Sequence, residues 1–167
     1  MKASEERQPE QIIHREDTDN SAQRCIEAMR LLRANYLEKV SELERKRKPG
    51  EGILGMHGGP ADDCCHDRYA EDLAALLQAF AAEDPDSASV RTVLDELYAA
   101  PPKSGIPRSA FWMLIAVQGL CPELIDRLDP DDADRLVKRF ASDYRRWELM
   151  PRQKQILKAL KDRAKNR

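Results

Sequence analysis

The run Asn20-Ser-Ala-Gln-Arg-Cys-Ile-Glu-Ala-Met-Arg-Leu-Leu-Arg-Ala-Asn-Tyr-Leu-Glu-Lys-Val-Ser-Glu-Leu-Glu-Arg-Lys-Arg-Lys48 decides the fold class. Within it Ala22, Cys25, Ile26, Met29, Leu32, Tyr36, Val40 and Leu43 recur every three or four residues, which is the period of one helical face and not of a strand. The spacing predicts a helix about 40 Å long at 1.5 Å per residue. Asn20 or Ser21 can cap its start, with Gln23 completing a capping box. Arg45 to Lys48 complement the dipole at its end, and Pro49-Gly50 stops it. Residues 1–19 are polar and show no such period, so they are expected to form a flexible N-terminal tail ahead of a helical bundle domain over 20–167.

Downstream the same period returns in short blocks. Cys65, Tyr69, Leu73, Leu76, Leu77 and Phe80 make a second stripe, capped by Asp62 or Asp63, and Val90, Val93, Leu94, Leu97 and Tyr98 make a third. Residues 108–118 are apolar nearly all round and are expected to form the most buried helix. A short helix follows through Leu124, Ile125 and Leu128. Another carries Leu136, Val137, Phe140, Tyr144 and Trp147, and a last one, opened by Pro151, carries Ile156, Leu157, Leu160 and Ala164. None of the ten prolines interrupts a stripe, so local and global signals agree. The expectation is an all-α, single-domain bundle of about six to seven helices, with a Gly-rich loop between the first two.

With 167 residues the chain can bury a core without disulfides or metal, and with charged residues at 35% it should present a charged, water-soluble exterior. Its N-terminus has no apolar signal segment and its longest apolar run is far too short to span a bilayer. A cytoplasmic location with reduced thiols and no membrane partner is therefore expected. The net charge of −2 hides an asymmetry. Residues 61–90 hold one basic and eight acidic side chains, whereas residues 138–167 hold eleven basic and three acidic ones. Such a dipolar chain can attract a second copy or offer a basic face to an acidic partner.

Candidate chemistry is concentrated in residues 49–69, where five of the seven glycines meet His57, Asp62, Asp63, Cys64, Cys65 and His66. Imidazole, carboxylate and thiolate suit zinc or another transition metal. Helical geometry lets His66 share a face with Asp62 or Asp63, while His57 must reach back from the loop; Cys64, at a helix N-terminus, is a sulfur ligand or nucleophile candidate. The plainer reading makes the loop a corner, the aspartates caps, and His66 a residue that bonds Asp62 or faces water. Gly50, Gly52 and Gly55 match a dinucleotide-binding spacing, but no strand precedes them to aim backbone N–H groups at a pyrophosphate. A second candidate is the basic C-terminal segment, where Arg145, Arg146, Arg152, Lys154, Lys158 and Lys161 are suited to phosphate backbones. These charges read as spread round the polar side of the last helix.

No established set of catalytic motifs emerges. The sequence thus points first to a non-enzymatic helical protein-interaction or assembly module, with a protein partner or homo-oligomer. The alternatives are a metal-binding protein using the His/Asp/Cys cluster and a nucleic-acid-binding protein using the basic C-terminal helices.

Overall fold

The computed structural model describes the backbone of residues 9–47, 60–144 and 149–166, and the side chains of 20–47, 64–144 and 149–166. Every regular element among them is helical. They are α1 (Pro9–Lys46), α2 (Pro60–Ala82), α3 (Ser87–Leu97), α4 (Arg108–Ala116), 3₁₀ segments Val117–Gly119 and Pro122–Arg127, α5 (Pro130–Asp143) and α6 (Pro151–Lys165). The all-α bundle stands, while the Gly-rich loop and Trp147 lie outside the described residues.

Helix starts are set by proline more often than by the capping side chains the sequence suggests. The first helix begins at Pro9, so the helix start expected at Asn20 is corrected. Proline suits a first helical turn, and the Glu, Gln and Arg residues that follow are good helix formers even without an apolar stripe. Ser21 and Gln23 are therefore interior residues: Ser21 donates to Glu83 beyond the end of α2, and Gln23 to Glu27 at 3.0 Å. The second helix likewise starts at Pro60, which puts Asp62 and Asp63 inside its first turn. By contrast Asp86 is a true side-chain cap, accepting from the Ser89 N–H at 2.8 Å.

The stripes meet in one core. Ala22, Cys25, Ile26, Met29, Tyr36 and Val40 of α1 are buried against Tyr69, Leu73, Leu77 and Phe80 of α2. The rings of Tyr36 and Tyr69 stack at 4.3 Å across that seam. Helix α3 also packs on α1 and is the most buried helix, with Val90, Val93 and Leu94 fully inaccessible. The expectation that residues 108–118 would hold that place is corrected: Ala110, Leu114 and Ile115 are buried, but Trp112 is 43% exposed. An all-round apolar helix can also leave one side uncovered, and here that side opens on a cleft. Helix α5 spans from α3 to α6. Its start is tied to α3 by Asp132, which accepts from Ser87 at 2.6 Å and faces Arg91 at 3.0 Å.

Candidate functional site

Helix α6 buries Gln153, Ile156 and Leu160 and turns the opposite side outward. Along that outward side Lys154, Lys158, Lys161 and Lys165 follow one another at intervals of four, three and four. This spacing keeps them on one face over about 16 Å of helix. They form one wall of a cleft of about 840 Å³ between α5 and α6, whose floor is Phe140, Tyr144, Leu149 and Leu157. The lining holds four lysines against one carboxylate, Asp162. Lys158 reaches Asp162 at 2.6 Å; that contact keeps the carboxyl below its ordinary range and the ammonium above its own. The cleft therefore presents an apolar floor beneath a cationic wall, a combination that suits an amphipathic ligand with acidic flanks better than a bare phosphate backbone.

The floor is fixed by a buried polar network that sequence reasoning missed. Helix α5 ends at Asp143, and Tyr144 is extended, with its ring 5.0 Å from that of Phe140. Gln118, 1% exposed, donates to the Tyr144 hydroxyl at 2.9 Å and to the Ala99 carbonyl at 3.2 Å. Its own carbonyl accepts from Gln153 at 3.3 Å, and Gln153 in turn accepts from the Met150 N–H at 2.8 Å. Burial raises the Tyr144 hydroxyl above its ordinary pKa, so it stays protonated in this network. Two internal glutamines thus hold the end of α5 and the start of α6 in register.

On the far side of Tyr144 a second cleft, of about 570 Å³, lies among Ile106, Phe111, Trp112, Ile115 and Met150, with Lys103 and Arg108 at its rim. Trp112 and Met150 are among the large apolar side chains left exposed. Tyr144 is common to both clefts.

Of the residues proposed from sequence for nucleic acid, Lys154, Lys158 and Lys161 are brought together in the first cleft, and Lys165 joins them. Arg152 is not with them: its side chain lies across Gly119, where an added Cβ would come within 2.5 Å of its Cδ. Arg145 and Arg146 lie outside the described residues. The signal for the lysine wall was present as a four-three-four spacing on the same side as Leu157.

The metal candidates are placed less completely. His57 lies outside the described residues, and for Asp62 and Asp63 only the helical backbone is described. Cys64 is exposed. His66 faces inward rather than water: it is 8% exposed, and its Nδ1 lies 2.6 Å from the Tyr36 hydroxyl. Among the described residues no group of three His, Cys, Asp or Glu side chains is arranged to hold a metal ion. Comparison with known families, curated proteins and solved structures finds no match. The clefts must therefore be read from their own chemistry. Among the described residues no helix is long and apolar enough to cross a membrane.

Proposed function

We propose that this protein is a cytoplasmic, non-enzymatic interaction module whose α5–α6 cleft receives an acidic amphipathic helix from a partner protein. The observation that carries this reading is the pairing of an apolar floor, Phe140, Leu149 and Leu157, with a wall of Lys154, Lys158, Lys161 and Lys165. A partner helix would lay leucine or aromatic side chains on the floor and aspartates or glutamates along the lysines, in the manner of helix-in-groove recognition. About 16 Å of lysine wall corresponds to three turns of such a helix. The exposed Trp112 cleft beyond Tyr144 offers room for an apolar anchor continuing past the groove.

Anisotropy of a fluorescent four-turn peptide, with leucines on one stripe and glutamates on its flanks, tests this. Saturable binding that is lost with a scrambled peptide of the same composition is the expected result. Equal binding of both peptides would reduce the site to unspecific charge attraction and contradict the proposal. Tighter, steeply salt-dependent binding of duplex DNA would transfer the cleft to a phosphate-backbone ligand. Self-association in light scattering that Lys158→Glu abolishes would assign the cleft to a second copy of this chain.

A further inference from the structure

A third cavity shares the Ala100-Pro101-Pro102 segment with the Trp112 cleft and has no residue of α5 or α6 in its lining. Its volume is about 320 Å³, at the small end of the range for ligand sites. Met29, Leu37, Leu73, Leu97, Leu114 and Val117 give it an apolar body drawn from α1, α2, α3 and the end of α4. Three polar side chains also line it: Arg33, Glu96 and Tyr69.

Their hydrogen bonding is unequal. Glu96 is saturated by two guanidiniums, Arg30 through Nε and Nη2 at 3.1 and 2.9 Å, and Arg33 through Nη2 at 2.9 Å. These contacts, that of Arg30 foremost, hold its carboxyl below the usual range. Two cations against one anion leave the group with one net positive charge, and the other N–H groups of Arg33 donate to no described residue. Tyr69 is only 6% exposed, with its ring held by the stack on Tyr36, yet its hydroxyl makes no hydrogen bond among the described residues. The hydroxyl oxygen is not among the buried unpartnered polar atoms, so it is open to the cavity that Tyr69 lines and free to donate to a ligand there. An apolar chamber with an underused guanidinium and an unbonded hydroxyl is complementary to one chemical class, an apolar tail ending in a carboxylate.

We propose that this cavity binds a small amphipathic carboxylate, with its tail among Met29, Leu73 and Leu114 and its carboxylate accepting from Arg33 and the Tyr69 hydroxyl. This site shares no helix with the α5–α6 cleft and stands or falls apart from the function proposed there.

Isothermal titration of the full-length protein with octanoate tests it, with hexanoate, octan-1-ol and octylammonium as comparisons. The expected result is one octanoate per chain, with hexanoate weaker by about fourfold per methylene removed, and no measurable binding of octylammonium. Arg33→Gln and Tyr69→Phe, each checked by circular dichroism for retention of the helical fold, should each weaken octanoate roughly tenfold or more. The phenylalanine keeps the stack on Tyr36 while removing only the hydroxyl. Octanoate binding no tighter than octan-1-ol, binding of several equivalents, or undiminished affinity in both variants would overturn the assignment. Should a variant unfold, the ligand series on the unaltered protein decides alone.

Discussion

Replacing Gln153 by alanine removes the centre of the network beneath the lysine cleft. Gln153 is fully buried; its amide N–H donates to Gln118 at 3.3 Å and its carbonyl accepts from the Met150 N–H at 2.8 Å. Truncation leaves a buried acceptor on Gln118 and a backbone N–H without these partners, at about 1 kcal/mol or more each. It also removes one buried methylene, worth about 0.8 kcal/mol, and opens space where the amide stood. The expected loss is about 3 kcal/mol, which for a chain of 167 residues corresponds to a fall in melting temperature of about 6–12 °C. Urea and thermal denaturation followed by circular dichroism measure it, with Gln155→Ala, an exposed site on the same helix, as the control expected within about 0.5 kcal/mol of the parent. If Gln153→Ala matched that control, the network would not hold α6 in place, and the account of the cleft floor would fail.

Three further outcomes are expected. Stability should decline on the alkaline side: burial pushes the Cys25 thiol from 9.0 to about 11 and Cys121 to about 12. The folded chain thus keeps protons that the unfolded chain releases above pH 9, so this contribution is complete below pH 9 and is lost as pH climbs toward 11; urea midpoints that stay level from pH 8.5 to 10.5 would contradict it. In a Cys65→Ser background, a thiol reagent at pH 8 should modify exposed Cys64 quickly, while buried Cys25 and Cys121 react only at the rate of unfolding; three equal fast phases would refute the burial assignments. Gly119→Ala should be close to neutral or mildly destabilising, because its Cβ displaces the Arg152 side chain. In an Arg152→Ala background the same change should stabilise by about 0.4–1 kcal/mol in urea denaturation, and a loss there would show that the backbone at 119 needs glycine.

What the sequence made legible was whatever depends on local period. The stripes of α2 and α3 became buried faces because a three-and-four spacing puts them on one side whatever they pack against. The start of α1 was illegible because residues 9–19 carry helix propensity without the apolar face that marks a helix by its period. Gln118 closes the apolar run 108–118 and Gln153 follows the proline that opens the last helix, but nothing local links them; only the meeting of two segments 35 positions apart supplies the partners that make their burial tolerable. The contact of His66 with Tyr36 was illegible because the two residues lie 30 positions apart. The lysine wall is the intermediate case. Its spacing was visible, but the apolar floor that gives it meaning comes from Phe140 and Tyr144 on and after α5.

The most direct test of the α5–α6 reading is a charge exchange. The doubly substituted protein Lys158→Glu/Lys161→Glu should lose binding of the glutamate-flanked peptide and regain it with a peptide of the same leucine stripe carrying lysines on its flanks. Anisotropy titrations of both proteins against both peptides give the four affinities required. Recovery in the swapped pair is the predicted result. Unchanged binding of the glutamate-flanked peptide to the substituted protein would place its contact elsewhere and contradict the account.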